Sequence, residues 1–243
     1  GLVLNDRGRL LLRKAEALLG EARELAELTR DDGAALAGTL HLGCSTTITS
    51  YDLPRRIKAF HESHPQAEIV LRVGNTKEVA QHLRTGEIDL GLVEGDLIRQ
   101  DLTEEDWQRD ELVVIAAPGH PLAGRKRVTR SELGNELWIM REEGSGTLST
   151  LAGALADNKV RPRRMHRIGH TEAIKRAVEA GMGISALSHI AVAREIADGH
   201  LTILPVPFTI ARWFRIITYP GRYQSRLVRH VLDWLRGPMD RAT

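Results

Sequence analysis

The sequence predicts an α/β protein of two lobes behind a long N-terminal helix. Three observations carry that prediction. From Thr39 onward, short apolar runs alternate with amphipathic stretches of helical period, the pattern of strands joined by crossover helices. The alternation restarts after the turn Pro118-Gly119-His120-Pro121, which divides it into units of about 90 residues each. The residues before Thr39 keep a separate, heptad-like period.

That first period runs through Leu11, Ala15, Leu18, Ala22 and Leu25, spaced 4, 3, 4 and 3 apart. Leu12, Leu19 and Ala26 flank the stripe, while Arg13, Lys14, Glu16, Glu21, Arg23, Glu24 and Glu27 fall mostly off it. Asn5 or Asp6 can cap the start, and Asp31-Asp32-Gly33 breaks the helix at its end. About 25 residues at 1.5 Å each make a rod roughly 40 Å long. Such a stripe either packs on its own domain or pairs with another chain, and the length favours pairing.

In the first lobe, Thr39 to Gly43 alternates as a strand. Leu53, Ile57 and Phe60 share one helix face, which ends near His64-Pro65. Glu68 to Val73 reads as a strand, Lys77 to Leu83 as a helix stopped by Gly86, Ile88 to Val93 as a strand, and Leu112 to Ala117 as a buried strand. In the second lobe, Leu137 to Met140 is a strand, Thr147 to Ala156 a helix and Arg164 to Ile168 a strand. Thr171 to Ala180 is a helix closed by Gly181. Ile184 to Leu187 is a strand and Ile190 to Ala197 a helix closed by Gly199. Leu201 to Val206 and Phe214 to Thr218 are late strands, and Ser225 to Leu235 is a final amphipathic helix. The expected sheets are parallel, with helices on both faces.

Composition narrows the function. The 243 residues are 42% apolar, 27% charged and 4% aromatic, an ordinary globular balance. The net charge is +2, from 34 basic and 32 acidic residues, so the chain as a whole presents no field for nucleic acid. No apolar run approaches the roughly 18 residues that span a bilayer, and no signal-peptide pattern opens the chain. Cys44 stands alone, so it makes no internal disulfide and no cysteine-built zinc site. A cytoplasmic protein without membrane contact is expected.

Chemistry concentrates at strand-to-helix junctions. Cys44-Ser45-Thr46-Thr47-Ile48-Thr49-Ser50 lies between a strand end and a helix start, where open α/β sheets bind ligands. Helix N–H groups and hydroxyls there suit a small anion; alternatively they simply cap the helix. Gly144-Ser145-Gly146-Thr147 occupies the same position in the second lobe, and His170-Thr171-Glu172 a third. Paired hydroxyl-rich helix starts, one per lobe, imply a ligand in the cleft between lobes.

Enzyme signatures are missing. There is no G-x-S-x-G elbow and no phosphate loop, and Gly181-x-Gly183 lacks the third glycine of a dinucleotide fingerprint. His61-x-x-His64 and His166-x-x-x-His170 have no acidic partner at ligand spacing, so neither a metal site nor a cofactor is expected. Cys44 reads as a buried structural thiol. Two basic clusters, Arg125-Lys126-Arg127 with Arg130 and Arg161-Pro162-Arg163-Arg164 with Arg167, read as solvated loops. Stacking on single strands is improbable with so few aromatics.

These residues resemble a known family. Val3-Leu4-Asn5-Asp6-Arg7-Gly8-Arg9-Leu10-Leu11 resembles the junction that opens the linker helix of LysR-type transcriptional regulators. Leu40-His41-Leu42-Gly43-Cys44-Ser45 with Leu53-Pro54 resembles the first strand and helix of the family's effector domain. Gly74-Asn75-Thr76 and Gly86-Glu87-Ile88-Asp89-Leu90-Gly91-Leu92-Val93-Glu94 form its most recognisable stretch. His120-Pro121-Leu122-Ala123, Arg141 to Thr147, Glu172-Ala173-Ile174-Lys175 and Val178 to Ile184 follow in the family's order.

The resemblance implies two Rossmann-like lobes of the type II periplasmic-binding-protein kind. It places the end of the wing and a dimerising linker helix at 1–31, lobe one at 39–116 with 213–243, and lobe two at 117–212. It implies that Ser45, Thr47, Ile48, Thr49, Glu94, Ser145, Gly146, Thr147, His170 and Thr171 face a small, anionic effector. Leu11, Ala15, Leu18, Ala22 and Leu25 would hold a homo-oligomer, a dimer or tetramer. Promoter DNA would be bound through a winged helix-turn-helix of roughly sixty residues expected before Gly1. Leu148 departs from the family, which often carries Arg there; the change removes a cation from the cleft's edge. The alternative is a solute-binding protein of the same fold, against which the long helix and the absent signal sequence argue.

Overall fold

The computed structural model describes residues 36–95 and 101–237, together with Asn5, Arg7, Gly8, Leu11, Ala15, Leu18, Leu19 and Ala22. Of the N-terminal stripe, Leu11, Ala15, Leu18 and Ala22 are helical and exposed, Leu11 and Leu18 by 67% and 66%. Asn5 Oδ1 accepts the Gly8 N–H at 2.8 Å, as a cap does. Leu25 and the Asp31-Asp32-Gly33 break lie outside the described residues.

β1 (Gly38–Ser45) turns Leu40, Leu42 and Cys44 inward at every second position. It runs directly into α1 (Thr46–Tyr51), a short helix separate from α2 (Leu53–Ser63), whose first turn holds Pro54. β2 (Ala67–Gly74), α3 (Thr76–Thr85) and β3 (Leu90–Glu94) follow. α3 opens on a capping box between Asn75 and Glu78 and closes on Gly86 at φ 79°. Then come β4 (Thr103–Ala116), α4 (Arg130–Asn135), β5 (Leu137–Met140), α5 (Gly146–Asp157), β6 (Arg164–Arg167), α6 (Thr171–Glu179), β7 (Ser185–Ser188), α7 (His189–Ala197), β8 (Thr202–Ile203), β9 (Ile210–Thr218) and α8 (Arg226–Arg236).

One sheet runs in the order β2-β1-β3-β9-β4-β7, with β8 beside β4, and β5 and β6 form a separate parallel pair. β1 is parallel to β2 and β3, but β9 is antiparallel to both β3 and β4, and β4 is antiparallel to β7. The sheet is therefore mixed where the alternation of strands and helices predicts a parallel one. The antiparallel part comes from two long strands, β4 and β9, that pass side by side through the centre.

Side chains on both faces of this sheet make four cores. α8 lays Leu227, Val228, Val231, Leu232 and Leu235 against β1, β3 and Phe60 of α2. α3 covers the opposite face with Val79, Ala80 and Leu83 against Val93 and Ile217. In the other half, Leu112, Val114 and Ala116 of β4 face α4 and α5 through Leu133, Leu151 and Leu155. Ile115, one residue out of phase, faces Ile174 and Val178 of α6 and Val192 of α7. Each such aliphatic side chain contributes about 1.5–3 kcal/mol on burial.

The sequence pattern misses the polar half of β4. Thr103–Glu111 reads TEEDWQRDE and shows no apolar alternation. Its carboxylates are matched by cations outside the strand: Arg215 meets Asp106 at 2.7 Å and Glu104 at 3.5 Å, and Arg236 meets Glu105 at 2.7 Å. β9 likewise starts at Ile210 rather than Phe214. The strand expected over Leu201 to Val206 shrinks to Thr202–Ile203, because Pro205 and Pro207 have no N–H for a ladder. Among the described residues, no helix is long and apolar enough to cross a membrane.

Candidate functional site

β1, β3 and β5 end on the same side as the N-terminal ends of α1, α5 and α6, and the candidate residues gather there. Glu94, the last residue of β3, is the hub. Its Oε1 accepts the Thr47 N–H of α1 at 3.1 Å, and its Oε2 accepts the Thr147 hydroxyl of α5 at 2.9 Å and Arg212 Nη1 of β9 at 2.7 Å. Arg212 donates through Nε to Asp110 of β4 at 2.6 Å, and Asp110 accepts the Ser188 hydroxyl at 2.6 Å. The Arg212 and Glu94 side chains are 1% and 2% exposed.

Burial works against the Glu94 charge, but the Arg212 guanidinium and the hydroxyls of Ser45, Thr47 and Thr147 outweigh it and hold its pKa at about 2. Glu94 is thus an anion at α1's first turn, supplied by the protein itself. Gly146 fits the same spot: a Cβ there would lie 1.9 Å from the Glu94 carbonyl oxygen. Only glycine lets α5 start this close to β3.

A second buried cation spans the gap between α1 and α6. Arg141 follows β5 and is 3% exposed. Its Nη1 donates to Thr46 Oγ1 at 3.1 Å and to Thr171 Oγ1 at 3.0 Å. Its Nε and Nη2 form a fork on the neighbouring Glu142 carboxylate at 2.8 and 3.0 Å. Next to α1, Ser45 Oγ and Thr49 Oγ1 are buried without a hydrogen bond of good geometry among the described residues, and so is Arg212 Nη2. Buried donors in that condition are costly unless something else satisfies them.

α1 also reaches α6 from its far end. Tyr51 Oη donates to Glu172 Oε1 at 2.5 Å, and burial together with that carboxylate pushes the tyrosine pKa up to about 12. Lys175 lies beneath, 2.7 Å from Glu172 and 2.6 Å from Glu195. Burial opposes its charge and the carboxylates prevail.

The expected residues divide by position. Thr47, Glu94, Gly146 and Thr147 come together in one clasp, and Thr171 joins Arg141 opposite Thr46. Ser45 and Ser145 are buried beside them, and Thr49 is half-buried. Ile48 does not face the gap: it is fully buried and packs in the core with Leu53 and Phe214, because α1 turns it toward the sheet. His170 is exposed and precedes α6 without a capping side-chain bond. Leu148 packs against the core around Leu151, so the cations of the site come from Arg141 and Arg212 instead. Sequence reasoning passed over both. Arg212 had a signal, since it interrupts the inward alternation of Ile210, Phe214 and Ile216.

Other candidates have structural places. Burial drives the Cys44 thiol pKa far up, as an inert core thiol requires. His64 stacks on Phe60 at 4.7 Å between ring centres. Among the described residues, no three His, Cys, Asp or Glu side chains gather as metal ligands do. A cavity of about 530 Å³ lies between α5 and β9, lined by Ser149, Thr150, Gly153, Trp213 and Arg215. Of the clasp only Arg212 borders it.

Residues 33–239 match the family described as the LysR substrate binding domain. The chain is 37% identical over 234 residues to "Uncharacterized HTH-type transcriptional regulator YeiE" of Escherichia coli K12, covering 96% of this chain and 78% of that protein. It is 35% identical over 184 residues to the "HTH-type transcriptional regulator CysL" of Bacillus subtilis, covering 75% and 62%. Among solved structures, the regulatory domain of CcmR from Synechocystis, in complex with 2-PG, superposes with a TM-score of 0.76 at 34% identity, over 82% of this chain and 96% of that one.

Proposed function

The chain belongs to the LysR family of transcriptional regulators and contains the family's effector-sensing domain, and from that premise we propose that it binds a small anion between α1, α5 and α6. The carrying observation is the Arg141 guanidinium, buried and shared between hydroxyls of Thr46 and Thr171. An oxyanion entering there takes Arg141 Nη1 and these hydroxyls in a water-poor setting, where charge-assisted bonds are strong. Thr47, Glu94, Thr147 and Arg212 act differently: they clasp the helix starts together around the site.

Two lobes, near 39–116 with 213–243 and near 117–212, close about β4 and β9, which contribute to the cores of both. The effector shifts the balance of open and closed forms only by its preference between them. In the intact regulator, a homo-oligomer held partly by Leu11, Ala15, Leu18, Ala22 and Leu25, closure re-angles the subunits on promoter DNA. The domain senses and does not catalyse. Family membership favours this reading over a free-standing solute-binding protein.

Calorimetry with a panel of sulfate, sulfite, phosphate and simple carboxylates tests the reading. At least one anion binds, and Arg141→Gln and Thr171→Val each weaken it by about tenfold or more, the loss of one charge-assisted bond. The double substitution Thr47→Val with Ser145→Ala weakens it too. Unchanged affinity in all three variants puts the site elsewhere.

A further inference from the structure

The two basic clusters separated in sequence meet in the fold. Val128, Leu133 and Val160 plug into the same core, so the charged residues on either side of Val128 and Val160 emerge on one surface around α4. Gly134 O accepts the Arg163 N–H at 3.0 Å, and Arg164 Nη2 reaches Asn135 O at 3.4 Å. Arg125 is paired with Glu132 and Arg167 with Glu143. Lys126, Arg127, Arg130, Lys159, Arg161 and Arg163 are exposed, and their side chains have neither an ion pair nor a hydrogen bond among the described residues.

Ordinary structural roles account for only part of this. Arginines guard β6, an exposed edge strand, against pairing with other strands, and Arg164 neutralises carbonyls at the end of α4. Neither role needs Lys126, Arg127 and Arg130. Arg130 is the first residue of α4, and Lys126 and Arg127 lie in the loop before its N-cap Thr129, at the end where the helix dipole disfavours cations. Local stability therefore opposes the cluster.

We infer that this face around α4, built from 125–130 and 159–164, holds the phosphate backbone of duplex DNA. Arginine forks match phosphate oxygens. A protein partner fits less well, because interface centres need clusters of large apolar anchors, whereas here Val128, Leu133 and Val160 point inward and Met165 is the single large apolar side chain exposed beside the cluster among the described residues. Recognition by charge alone, without aromatic stacking, suits a double strand. The inference is independent of where the effector binds.

The test uses fluorescence anisotropy of a labelled duplex of unrelated sequence with the 243-residue chain. Binding is expected at about 20 mM salt, with log K falling on log salt at a slope of about −3 to −4 if roughly four phosphates are engaged. Arg130→Glu with Arg161→Glu and Arg163→Glu should weaken binding at least tenfold and flatten the slope. A control with the same change in net charge, Lys58→Glu with Arg194→Glu and Arg229→Glu, should stay within twofold. Circular dichroism confirms that both triples are folded. No binding at low salt, equal losses in both triples, or binding of polyglutamate but not of DNA each overturns the inference.

Discussion

Glu94 carries its charge with its side chain only 2% exposed. Its pKa of about 2, against 4.5 for a free glutamate, comes from Arg212 and three hydroxyl residues overcoming burial. Because the folded value is the lower one, the clasp's contribution is complete above about pH 4.5 and drains away as pH falls toward 2. Glu94→Gln leaves Arg212 partly unpaired and should cost about 3–5 kcal/mol at pH 7. Urea denaturation of both proteins across the acid range should show that difference shrinking below pH 4.5; a constant difference would mean that Glu94 is not the titrating group. Cys44 gives a simpler residue-level expectation. A thiol probe should react with it only after unfolding, since burial suppresses the thiolate.

Elements set how closely these groups approach. α5 begins against β3 because Gly146 has no Cβ, and the atom it would strike is backbone, which has little room to yield. Gly146→Ala should therefore lower stability by about 1–3 kcal/mol or more, read as a fall in melting temperature, and should weaken anion binding in the same protein. An unchanged melting temperature would show that α5 slides away freely. The capping box of α3 is a milder case: Asn75→Ala removes the bond to Glu78 N–H and should cost about 1 kcal/mol. β4 shows the converse, a strand whose first half is held by ion pairs and a ladder to β9, with Trp107 its one side chain packed on the α8 core.

At the scale of the whole molecule, β4 and β9 join the two sets of cores, and Leu11 and Leu18 of the N-terminal helix are exposed, as the proposed pairing with another chain requires. Leu11→Asp with Leu18→Asp should reduce the oligomer seen by sedimentation velocity at a fixed concentration, leaving the melting temperature of the α/β part within a few degrees. An unchanged oligomer would assign assembly to another surface. The basic face around α4 is a second whole-molecule feature, because it exists only when residues about thirty positions apart share one core.

The amino-acid sequence made legible most of the strands and helices, though not α4 or the polar half of β4, together with the N-terminal stripe and the hydroxyl-rich junctions at Ser45, Ser145 and Thr171. Those are local properties: side-chain period, caps and turn chemistry act over a few residues. It also carried the family, through short motifs in a fixed order. Long-range packing had to show that β9 runs antiparallel between β3 and β4, that Ile48 belongs to the core, and that Arg141 and Arg212 are buried. Arg212 meets Asp110 and Glu94 across 102 and 118 residues of chain. A charge is recognisable in a sequence, but whether it is solvated, paired or left with an unsatisfied donor depends on neighbours brought from far along the chain.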